Sequence, residues 1–142
     1  MSRAAPVEPF VALVREFELE YVHLKQMLAL AAEEHRDLVA GDIARLDAIS
    51  AEKLVQLHAL ELYSTQRAAY LEQLGFTPDA SGLAACALSA GGRARKLTTA
   101  WKRVADALAE LRDLNEENGT LLRARLAELG PAVSGLAPLE PG

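Results

Sequence analysis

A helical seam near the C-terminal end constrains this chain more than any other feature. Counting in steps of four and three gives Leu97, Trp101, Val104, Leu108, Leu111, Asn115, Asn118, Leu122, Arg125 and Leu129. Steps that average 3.5 residues keep one face of a helix turned toward a partner helix. Most of these positions are large and apolar, yet the centre carries two amides followed at once by Gly119. A buried amide without partners costs about 1–3 kcal/mol, and a glycine inside a helix about 1 kcal/mol. Residues this costly either fix the register of a helix pair or mark where another chain docks.

The same period recurs upstream. From about Glu8 the apolar positions Phe10, Val14, Phe17, Tyr21, Leu24, Leu28, Ala31 and Leu38 form one stripe, broken only by His35. Pro9 falls in the first turn, where a missing amide hydrogen is harmless. Gly41-Asp42 then reads as stop and restart: glycine ends one helix and Asp42 caps the next. So short a link predicts an antiparallel hairpin. The second helix is predicted over 43–74. Its apolar stripe, Ile43, Leu46, Ile49, Leu54, Leu57 and Leu60, then Tyr63, Leu71 and Leu74, is less regular, with Lys53, Ser64 and Arg67 near it, so part of it is expected to face water or a polar partner. Gly75 ends it, Phe76 packs back on the last turn, and Thr77-Pro78-Asp79 makes a turn. A short helix capped by Ser81 is expected over 81–90, broken by Gly91-Gly92. A third long helix runs over 94–129 until Gly130-Pro131.

The resulting fold class is all-α: a long antiparallel hairpin, a short helix and a third long helix in a coiled-coil-like bundle. Residues 8–130 are read as one domain, with a flexible start over 1–7 and a flexible, Pro/Gly-rich tail over 131–142. Composition agrees. Hydrophobic residues make up 51% of the 142, mostly Leu and Ala, and aromatics only 5%; this favours helices over sheet. A net charge of −5 argues against nucleic acid or an anionic membrane as partner. One cysteine excludes an internal disulfide and a Cys-based zinc site. With no export signal and no apolar run of the ~18 residues a bilayer crossing needs, the expected location is cytoplasmic, without membrane insertion.

Sites for chemistry are scarce. A di-iron bundle needs two Glu-x-x-His pairs among inward-facing glutamates. This chain has one, Glu20 to His23, and both fall off the seam, so they read as surface charge. Cys86 lies in an Ala-rich turn, remote in sequence from His and acidic residues, and reads as a small packed residue rather than a nucleophile. Phosphate-loop, nucleophile-elbow and dinucleotide motifs are absent from the sequence. No catalytic, cofactor-binding or metal residue is assigned. Arg93, Arg95, Lys96, Lys102 and Arg103 form the one positive cluster, either a solvated face or a dock for an acidic partner. Trp101, on the seam, is expected in the core.

The C-terminal third resembles the FlgN-type flagellar export chaperones. The resemblance rests on Leu97, Trp101, Leu108 and Leu111, followed by Asn115-Glu-Glu-Asn118-Gly119-Thr-Leu121-Leu122. Gly41-Asp42, Glu52-Lys53 and Leu74-Gly75-Phe76 fit as well, so it spans about residues 8–129. It implies a bacterial chaperone for the proteins that join flagellar hook to filament. Such a chaperone holds the C-terminal helical segments of hook-associated proteins and delivers them to the type III export apparatus, its ATPase complex and export gate. The expected partner-binding residues are Leu111, Asn115, Asn118, Gly119, Leu122 and Leu126. The competing reading is a helical scaffold or adaptor that self-associates through its hairpin without cargo. A metal-binding bundle enzyme is a third.

Overall fold

A computed structural model of the chain describes residues 8–129; the expected loose ends, 1–7 and 131–142, lie outside them. Helix α1 runs Pro9–Ala40, α2 Leu46–Gln73, α3 Ala80–Ser89 and α4 Ala94–Glu128, with a single 3-10 turn at Gly91–Arg93 between the last two. The described residues are all-α, as the sequence predicts. α1 is the spine: α2 folds back along it as the hairpin, and α4 packs along its other side.

α1 and α4 are parallel and closely in register. Arg93 lies over the Phe10 ring, Phe17 stacks on Trp101 with centroids 5.4 Å apart, and His35 bonds Asn118. The antiparallel α2 returns the chain to the start of α1, and α3 then links the end of α2 to the start of α4. Phe17, Leu13, Leu24, Leu38, Leu97, Val104 and Cys86 are the largest wholly buried side chains. The half-buried Trp101 packs at their edge.

The local signals mostly operate as read. Gly41 ends α1 in the left-handed region (φ 75°), where its amide and that of Asp42 return to the Leu38 and Asp37 carbonyls. Two expectations about caps are corrected. Asp42 does not cap α2: its Oδ1 accepts from Ala44 N (3.2 Å) in an exposed turn, and α2 begins at Leu46 with no side-chain cap. α3 is capped by Asp79, not Ser81. The Asp79 carboxylate accepts from Gly82 N (2.8 Å) and Thr77 Oγ1 (2.7 Å), bonds that hold its pKa below the ordinary aspartate value.

That cap needs glycine at position 82. A Cβ there would lie 1.7 Å from the Thr77 carbonyl oxygen and 2.6 Å from its carbon, backbone atoms that cannot rotate away. Gly82→Ala is therefore expected to destabilise the chain by about 1–3 kcal/mol, despite the better helix propensity of alanine. A urea-denaturation midpoint equal to or above that of the parent chain would contradict this.

Candidate functional site

Every seventh residue of α4 faces α1: Leu97, Val104, Leu111 and Asn118 are buried. Arg125 continues the row, and its guanidinium donates to the Leu38 (2.7 Å) and Val39 (2.6 Å) carbonyls that end α1. The steps between those positions differ from the seam read in the sequence. Ala100 and Ala107 are buried with them and Leu114 is half-buried, whereas Leu108, Leu122 and Leu129 are exposed at 37–41%. The face turned to α1 thus runs through the alanines, and Leu108 and Leu122 fall at its flank.

That flank faces α2 across a groove floored by α1. Its upper part has a volume of about 630 Å³ and is walled by Leu54, Leu57 and Leu60 of α2 and by Leu108, Leu111 and Asn115 of α4, with Met27 beneath. It continues past Ser50 and Lys53 into a smaller hollow lined by Leu38, Leu46, Asn118, Gly119 and Leu122. Leu54 is 57% and Leu57 42% exposed. Apolar side chains thus line both walls without a third helix between them.

A polar knot crosses the lower half. Asn118 Nδ2 donates to the Ala31 carbonyl (2.9 Å) and to Glu34 Oε1 (2.8 Å), and His35 Nδ1 lies 3.0 Å from Asn118 Oδ1. Lys53 Nζ donates to the same Glu34 oxygen (3.1 Å) and to Asn115 Oδ1 (2.8 Å). The Asn118 amide is thereby satisfied at both its atoms and Asn115 is bonded through its oxygen, so that α1, α2 and α4 are tied at one level. Asn118 is 3% exposed and fixes the α1–α4 register, while Asn115 stays exposed on the groove wall. Of the six expected binding residues, Leu111, Asn115, Asn118, Gly119 and Leu122 line this groove. Leu126, 49% exposed, is not among the lining residues.

The upper end is closed by an ion pair that sequence reasoning placed wrongly. Glu20 is buried, not surface charge, and pairs with Arg67, whose guanidinium lies over Phe17 (5.6 Å) and Trp101 (5.5 Å). His23, its neighbour in the Glu-x-x-His pair, bonds Gln56 Oε1 at 2.7 Å. The readable signal was Arg67 near the α2 stripe: a cation there needs a counter-charge from the facing helix. Elsewhere, burial pushes the Cys86 thiol above its ordinary pKa, the direction that suppresses nucleophilicity. Among the described residues, no cluster of three His, Cys, Asp or Glu is placed to hold a metal ion, and no helix is long and apolar enough to cross a membrane.

The fold and groove define an all-helical bundle with an apolar-walled groove between two of its helices. The family model described as FlgN protein matches residues 10–138, and the chain belongs to that family, one of flagellar chaperones. Among solved structures it is similar to a candidate flagella synthesis protein FlgN from Pseudomonas aeruginosa. The two share 25% identity at a TM-score of 0.71, over 94% of this chain and 100% of that one. No curated protein matched the chain.

Proposed function

We propose that this protein is a cytoplasmic export chaperone that holds a C-terminal helical segment of hook-associated proteins in the α2–α4 groove. It would deliver them to the type III export apparatus, with ATP hydrolysis left to that apparatus. The observation that carries this reading is the groove itself: leucines stand exposed on both walls of the α2–α4 cleft. Cargo segments that form coiled coils in the assembled filament present apolar stripes before assembly, and a groove of this kind buries such a stripe as an additional helix. Asn115, Lys53 and Glu34 supply polar partners midway, which favour a cargo helix carrying a polar residue at the matching position. The binding surface proposed is therefore Leu54, Leu57, Leu108, Leu111, Asn115, Gly119 and Leu122, extended by Leu126 beyond the groove. Asn118 acts from behind, by holding α4 in register.

Gly119 offers the first test. Inside the chain nothing requires it: an added Cβ would meet only the Arg123 guanidinium, at 3.5 Å. Gly119→Ala is therefore expected to stabilise the free protein by about 1 kcal/mol through helix propensity. If the glycine admits close approach of a cargo helix, the same change weakens binding to the C-terminal segment of a hook-associated protein by about tenfold. Calorimetric titration and thermal unfolding of the two proteins read both effects. Unchanged affinity removes Gly119 from the site. A free protein that instead self-associates through the groove, with no binding of the segment, replaces the chaperone reading with the scaffold one.

A further inference from the structure

The α1–α4 pair has a second groove, lined by no residue of α2. Its floor is Val14, Phe17, Tyr21 and Ala100, its volume is about 630 Å³, and Arg95, Lys96 and Arg103 stand on its α4 side. We infer that this is a docking surface for an amphipathic helix of another protein whose end nearest Gly92 carries acidic residues.

The charges carry the argument. Arg93 pairs with Glu8 and Lys102 with Asp106, but Arg95, Lys96 and Arg103 take no ion pair among the described residues. Arg95 and Lys96 occupy the first turn of α4, where the helix dipole disfavours cations, and Arg103 follows about two turns later on the same groove. These cations thus stand without a direct ion pair beside apolar surface that includes the 52%-exposed Val22. Glu18 is the acidic residue lining this part. Farther along, the groove passes Lys25, Leu28 and Ala29 of α1, and on its α4 side the sign changes from Arg103 to Asp106, which pairs with Lys102, and Glu110.

That change of sign selects the occupant. A nucleic acid or anionic membrane following the groove would meet Asp106 and Glu110, whereas a helix acidic at one end meets cations at that end only. From Val14 to Ala29 the floor extends about 22 Å at 1.5 Å per residue, room for about four helical turns. The surface lies apart from the α2–α4 groove, so both can be filled together, and the inference stands whether or not the cargo reading does.

The test uses the full-length chain, isotope-labelled, and two synthetic amphipathic helices about four turns long. They share one leucine seam; one borders its first two turns with glutamate, the other with lysine. The glutamate peptide is expected to perturb the amides of Tyr21, Thr99 and Arg103, and to bind about tenfold tighter than the lysine peptide at low salt. The double variant Arg95→Glu and Arg103→Glu is expected to reverse that preference. It remains folded, because Arg95→Glu adds negative charge where the α4 dipole favours it. Absence of binding, equal affinity of the two peptides, or perturbation centred on Leu54 and Leu108 overturns the inference. So does a doubling of mass through this face, or binding of anionic vesicles or DNA that the double variant abolishes.

Discussion

Arg67→Met is expected to lower the unfolding free energy by about 3 kcal/mol, the largest stability effect of any single change away from the apolar core. The Glu20 side chain is 4% exposed and its partner Arg67 18%. Neither is open enough for solvent to screen the pair as it screens a surface bridge. Removing the guanidinium leaves a carboxylate beneath α2 with no counter-charge, and also takes the cation from over Phe17 and Trp101. Glu20 is the reason the loss is large, so changing it as well should cancel most of it. The double variant Glu20→Leu with Arg67→Met is expected to fall within about 1 kcal/mol of the parent, because an apolar pair of similar volume carries no desolvation penalty. Urea denaturation with unchanged m-values separates the cases. A single-variant loss below about 1 kcal/mol would show that water reaches Glu20 and that the pair behaves as an exposed one.

Most of the fold could be read from the sequence because its helices are long, periodic and separated by strong breakers. Gly41, Gly75 and the Gly91-Gly92 pair each stop a helix where expected, and a 3.5-residue period over many turns has few alternatives. The α4 seam shows where such reading ends. Leu97, Val104, Leu111 and Asn118 belong to two rows at once. One runs through Trp101, Leu108 and Asn115, the other through Ala100 and Ala107. Hydrophobicity alone prefers the row with the larger side chains. Packing turned the alanine row inward: Ala100 and Ala107 are buried, whereas Leu108 stands exposed at the flank. The caps failed for a related reason: Asp42, Asp79 and Ser81 are all competent, and only the turn geometry decides which oxygen meets a free amide.

The candidate site was legible in half. Asn115, Asn118 and Gly119 announced themselves by their cost on an apolar seam, and the structure separates the two amides by burial. Asn118 is enclosed against α1, and Asn115 faces the groove. The opposite wall was not legible, because Leu54 and Leu57 looked like core of an irregular α2 stripe. Their exposure depends on where α4 lies relative to α2, a tertiary relation that no local period encodes.

That opposite wall gives the largest expected effect on binding. Leu54→Glu with Leu57→Glu is expected to weaken binding of a hook-associated C-terminal segment at least about a hundredfold, since the new carboxylates would be enclosed against an apolar cargo stripe without partners. The free protein should hardly change. At 57% and 42% exposure these leucines contribute little to its core, and surface changes of this kind usually stay within about 0.5 kcal/mol. The control is Val55→Glu with Leu62→Glu on the same helix. Those residues are 67% and 66% exposed and are not among those lining the groove. If binding needs only apolar surface somewhere on α2, both pairs reduce it alike. If the cargo helix lies between α2 and α4, only the first pair does. Calorimetric titration of the same segment into both double variants, with melting curves to verify the fold, decides between them. Undiminished affinity in the Leu54/Leu57 variant would place the cargo elsewhere.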